Sequence, residues 1–94
     1  GPLTASERGE RQLEIDRMQG SGEPIPEAWR ADMNAGQWER HIVSSLSSGS
    51  GFDIDNLRGQ EFTGEFLTER AGLSEGDISE ARERGILVPG ESGN

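Results

Sequence analysis

Sizeable apolar residues are thin at the start of the chain and gather into stripes further on. Between Thr4 and Met18 they are Leu13, Ile15 and Met18, behind a Thr4-Ala5-Ser6-Glu7 run with capping-box spacing. A short or frayed helix is expected there, followed by a loop over Gln19-Gly20-Ser21-Gly22-Glu23. Pro24-Ile25-Pro26 introduces a second helix. Pro26 sits in its first turn, where a missing N–H is harmless, and Trp29 and Met33 recur at i, i+4. Asn34-Ala35-Gly36 marks a break or a new cap. From Gln37 the stripe Trp38, Ile42, Leu46, with Val43 beside it, predicts a helix to about Leu46.

Ser47-Ser48-Gly49-Ser50-Gly51 has the composition of a flexible link. Beyond it, Asp53 and Asp55 suit a helix start, and Leu57, Phe62, Phe66 and Leu67 supply apolar positions. Gly59 and Gly64 weaken any continuous helix, so regular structure is expected from Thr63, with a stop at Gly72. Ser74-Glu75-Gly76-Asp77 is a second start signal, for a helix through Ile78 and Ala81, and Gly85 followed by Ile86 predicts a Schellman-like end. Pro89 should stop the chain from continuing as helix, and residues 90–94 are expected to be disordered.

Together these signals predict an all-α fold: a small helical bundle of three to five short helices with flexible ends. With 94 residues and 30% hydrophobic side chains the core must be thin, and 14 glycines and a mean hydropathy of −0.75 press toward partial disorder. Gly1-Pro2 reads as the scar of tag removal. The organisation expected is then a first helical segment over 3–47, a flexible link over 48–51, and a second helical segment with a hairpin over 52–89. The link is either natural or an addition that ties two natural segments together.

Charge narrows the partners. The net charge is −9, with eight acids against five Arg in residues 1–47 and ten against four in residues 48–94. Nucleic acid is disfavoured, because neutralising phosphates needs a basic face, and a basic protein surface is the better match. There is no cysteine, hence no disulfide framework, thiolate nucleophile or thiolate metal site. No apolar run is long enough to span a bilayer, which suggests a soluble cytoplasmic protein without membrane partners.

Candidate chemistry is slight. His41, the one histidine, stands beside Ile42 with no second histidine or cysteine to complete a ligand set, and reads as a solvated or partly packed side chain. Asp53-Ile54-Asp55 opens like a calcium loop, but Leu57 stands where a third oxygen ligand belongs and Arg58 where glycine is needed. Glu80 and Glu83 read as a solvated face. No catalytic residue, metal site or cofactor is expected, and a self-contained enzyme is not.

Residues 66–79, Phe66-Leu67-Thr68-Glu69-Arg70-Ala71-Gly72-Leu73-Ser74-Glu75-Gly76-Asp77-Ile78-Ser79, resemble a repressor-type helix-turn-helix, with Gly72 at the turn and Leu73 and Ile78 as anchors. Glu75 and Asp77, however, fall on the turn that would face DNA and would repel phosphate. The stretch from Arg58 to Val88 is also similar to the C-terminal tail of family III CoA-transferases, whose catalytic aspartate and nucleotide-binding region would lie upstream and are not carried over. In architecture, two thin helical halves tied by a Ser-Gly run resemble the docking domains of modular polyketide and nonribosomal peptide synthases. That resemblance implies a small bundle that holds successive subunits in order.

The function expected is a non-catalytic protein–protein interaction module, two docking segments joined in one chain that mediate subunit recognition in a multienzyme assembly line. The alternatives are a natural acidic adaptor or inhibitor domain and a helix-turn-helix regulator fragment. The expected partner is a protein, which includes the other half of the same chain; the sequence does not set the oligomeric state. The residues expected to carry binding are Trp29, Met33, Trp38, Ile42, Leu46, Phe62, Phe66, Leu67, Leu73 and Ile78, with Trp38 and Phe66 as anchors.

Overall fold

The computed structural model describes residues 3–57 and 59–86. It is a small all-helical fold with, among the described residues, three α-helices, α1 (Ala5–Ser21), α2 (Ala35–Ser50) and α3 (Glu75–Glu83), joined by 3₁₀ turns at Glu27–Asp32 and Ile54–Asn56 and a π turn at Phe66–Arg70. Pro89, the tail and the Gly-Pro start lie outside the described residues.

α1 is longer than its sparse apolar content suggests. Thr4 and Glu7 form a reciprocal capping box at its start. At its end Gly22, at φ 77°, lets Gly22 N–H reach the Gln19 carbonyl and Glu23 N–H reach the Met18 carbonyl, a Schellman closure that absorbs most of the expected loop into the helix. Ile15 and Met18 are buried, and Leu13 faces solvent. The segment after Pro26 winds as 3₁₀ rather than α-helix: only six residues separate Pro26 from the extended Met33, too few to repay α-helix nucleation.

α2 is the central element. Asn34 and Gln37 form its capping box, and Trp38, Ile42 and Leu46 are all buried on one face. The helix does not end near Leu46: it runs through Ser47, Ser48, Gly49 and Ser50 and stops at Gly51, φ 77°. The expected flexible link is thus the last turn of a helix, and the backbone of Arg70 and Ala71 lies against Gly49.

Beyond Gly51 the expected helix at Asp53-Ile54-Asp55 is a single 3₁₀ turn. The π turn at Phe66–Arg70 goes with Thr68, whose hydroxyl donates to the Gly64 and Glu65 carbonyls at 3.1 and 3.3 Å. Gly72 turns the chain at φ 72°, and Ser74 and Asp77 cap α3 reciprocally. Gly85 closes α3 as expected: its N–H meets the Arg82 carbonyl, and Ile86 N–H meets the Ala81 carbonyl at 2.8 Å.

The core is one cluster fed by both halves. Ile15, Met18, Ile25, Met33, Trp38, Ile42 and Leu46 come from before the Ser-Gly run, and Leu57, Phe62, Leu67, Leu73, Ile78 and Ala81 from after it. α2 packs against α1 and against the turns at 54–56 and 66–70, so it joins the two halves.

Candidate functional site

The candidate site is the seam between the halves. Eight of the ten side chains singled out in the sequence meet there as buried core: Met33, Trp38, Ile42, Leu46, Phe62, Leu67, Leu73 and Ile78. Trp29 and Phe66 do not enter it fully and pack on its margin. Trp29 lies under the Arg11 guanidinium, 4.4 Å from its ring centroid, and Phe66 stacks on Phe62 with centroids 4.8 Å apart. Of the two expected anchors, then, Trp38 is central, 1% exposed, and Phe66 peripheral.

Polar groups also cross the seam, and apolar periodicity gave no sign of them. Arg30 donates from Nη1 to Oδ2 of Asp77, which also accepts the Ser74 N–H at 3.1 Å and lies 3.8 Å from His41 Nε2. Asp77 is therefore not the exposed acid of a would-be recognition helix. As the third residue of α3 its side chain folds back toward the cap, and that turn lies on Arg30. Burial pushes the Asp77 carboxyl up, but the Arg30 hydrogen bond and the Ser74 amide outweigh it and hold the group below its ordinary value. Glu75, by contrast, is exposed as expected. Arg84 extends the seam, donating to the Met33 carbonyl at 3.3 Å and the Ala31 carbonyl at 3.0 Å.

Gln37 does the same work between α1 and α2. It is fully buried and donates to the Gln12 carbonyl at 2.7 Å and to Asp16 at 2.8 Å, while the Gln37 backbone carbonyl accepts from the Gln19 side chain at 2.9 Å. The one sequence sign of Gln37 was its place three residues after Asn34, the spacing of a capping box.

His41 is mostly buried, and burial together with the nearby Arg30 charge pushes its pKa down, with Asp77 opposing. The folded chain therefore holds it neutral, whereas the unfolded chain protonates it below about 6.5. Its contribution to stability is complete above that pH and is lost as pH falls through the lower folded-state value. The thermal midpoint should drop on going from about pH 8 to about pH 5, and the drop should shrink in His41→Gln. Identical profiles for the two proteins would place the titration elsewhere.

Among the described residues no three His, Cys, Asp or Glu side chains gather where an ion could be held, and no helix is long and apolar enough to cross a membrane. Compared with protein-family models, curated proteins and solved structures, the chain gives no match.

Proposed function

We propose that this chain is a non-catalytic, cytoplasmic protein–protein interaction module: two docking segments joined in one chain, of the kind that hold successive subunits of a multienzyme assembly line in order. The observation that supports this reading is the shared core. Neither half closes its own apolar face, since the Trp38, Ile42, Leu46 stripe shares one cluster with Leu67, Leu73 and Ile78. Two segments with this property gain their structure from each other, and a tether raises their effective concentration to the millimolar range. Charge across the seam, Arg30 with Asp77, supplies the orientation.

A second reading, a natural acidic adaptor or inhibitor domain, draws on one observation: α2 runs unbroken through the Ser-Gly run and seats Gly49 on the Arg70 backbone. Cleaving the chain separates the two. A protease site placed between Gly51 and Phe52 would leave every helix whole. The docking reading expects the cleaved halves to stay paired when concentrated, to part and lose helicity on dilution, and to regain it on remixing. Collapse on cleavage with no recovery on remixing at millimolar concentration would instead mark one indivisible domain.

A further inference from the structure

A groove of about 810 Å³ runs along the closed molecule, and both halves wall it. α2 contributes Val43, Ser44 and Ser48, the loop after α1 contributes Ile25, and the second half contributes Ile54 and Ala71. Ile54 is 61% exposed, and its neighbour Phe52 is exposed as well. Their backbone is held. The Ser47 hydroxyl donates to the Phe52 carbonyl at 2.7 Å, Phe52 N–H donates to the Ser50 hydroxyl at 3.1 Å, and a 3₁₀ turn holds Ile54. A solvent-facing apolar side chain on a held backbone in the wall of a groove, as Ile54 is, is what an incoming side chain buries against.

The charges around the groove select the partner. The charges of its arginines are already paired, Arg30 with Asp77 and Arg40 with Asp16 at 2.9 Å, and so is that of Glu23, with Arg17 at 2.9 Å. Glu39 in the wall, and Asp53 and Asp55 on either side of Ile54, are exposed and make no ion pair among the described residues. Arg70, the residue before Ala71 of the wall, is exposed and makes no ion pair among the described residues, so three unmatched acids face one unmatched base. The net unmatched charge at the groove is thus acidic. A second copy of this chain would bring another −9 to it, the segment 87–94 offers Glu91 and no base, and an anionic membrane is repelled in the same way.

We infer that this groove docks a cationic amphipathic helix of a partner protein, with an apolar side chain set against Ile54, Val43 and Ile25 and Lys or Arg side chains over Glu39, Asp53 and Asp55. Such a helix-in-groove complex takes affinity from the apolar anchor and orientation from the flanking charges. The inference rests on the interaction-module reading in general and holds whether the halves are two joined segments or one natural domain, because the groove belongs to the closed form.

The test is a titration of the intact chain with a synthetic peptide of about 18 residues, Leu and Lys at helical spacing, followed by amide shifts. Saturable shifts are expected over residues 43–48, at Ile54 and at Ala71 and Gly72. Ile54→Ser should weaken binding about tenfold. The double change Asp53→Asn, Asp55→Asn should weaken it about three- to tenfold and flatten its salt dependence. All three positions are exposed, so an unchanged thermal midpoint confirms that the fold persists. A peptide with Glu in place of Lys should not bind. Shifts centred on another face, no saturable binding, or an unchanged affinity for Ile54→Ser would overturn the inference. So would shifts at these residues that grow with protein concentration alone, which would make a second copy the occupant. The cleavage experiment reads the pairing of the halves and this titration reads the groove, so either can fail without the other.

Discussion

Asp77→Ala should cost the domain about 3 kcal/mol, the low end of the penalty for stranding one member of a buried ion pair, because Arg30 keeps some contact with water. A domain of this size has roughly 5–15 kcal/mol in all, so the variant should be largely unfolded at modest denaturant concentration. Two losses coincide. Arg30 loses its carboxylate partner, and α3 loses the half of its capping box in which the Asp77 carboxylate accepts the Ser74 N–H, while the bond from the backbone N–H of residue 77 to the Ser74 hydroxyl remains. Arg30→Met makes the complementary defect, leaving the Asp77 carboxylate, 4% exposed, without its main cation. Burial, the largest influence, is then opposed mainly by the Ser74 amide, so the folded-state pKa of Asp77 should rise above the unfolded value of 3.8. With that sign, the Asp77 contribution is fully present below the unfolded pKa and is lost as pH rises through the folded one. Acidification should therefore recover part of the stability of Arg30→Met, against the cost of charging the buried His41 that both variants share, while it recovers none in Asp77→Ala. Equal pH profiles for the two variants would mean that the pair is not coupled across the seam. Chemical denaturation of each variant at several pH values reads both effects.

The two kinds of contact at the seam were unequally legible in the sequence. The Trp38, Ile42, Leu46 stripe was readable because large apolar groups repeating every four residues put one continuous face on a helix and fit no strand period. The cap at Ser74 and the close at Gly85 were readable because each is encoded within a few residues. Arg30 and Asp77 are 47 residues apart, and no local pattern joins them. Read locally, Asp77 was one more acid in a first helical turn. α1 was underestimated for a related reason: much of what holds it is polar, with Gln12 and Arg11 bound to Asp32, and Asp16 and Gln19 bound to Gln37 and its backbone, none of which registers in apolar periodicity. Trp29 and Phe66 were expected inside because aromatic rings dominate cores, yet each finds a ring or guanidinium partner at the margin instead. Residues 47–50 misled by composition. Serine and glycine favour loops in general, but a helix already propagating from Asn34 adds a turn at little cost when that turn packs against something.

Gly49 makes that last point testable, because here helix propensity and packing predict opposite signs. In an exposed helical interior Gly→Ala stabilises by about 0.5–1 kcal/mol, and Gly9→Ala in α1 should do so, since nothing lies within 4 Å of the added methyl. At Gly49 the same methyl would stand 2.7 Å from the Arg70 carbonyl oxygen and 2.9 Å from the Ala71 Cα. Those are backbone atoms and cannot swing aside as a flexible side chain would, so α2 and the π turn at Phe66–Arg70 must separate. Gly49→Ala should therefore destabilise by about 1–3 kcal/mol, the usual cost of overpacking. For a domain of this size each kcal/mol lowers the thermal midpoint by about 4–8 °C, well within the reach of calorimetry. Helicity of the folded state should stay close to that of the unchanged chain, because the substitution is helix-compatible and the fault lies between elements. If Gly49→Ala instead raises the midpoint as Gly9→Ala does, the Ser-Gly run does not touch the second half, and the two halves are held together by Arg30, Asp77 and the apolar core without help from the segment that joins them.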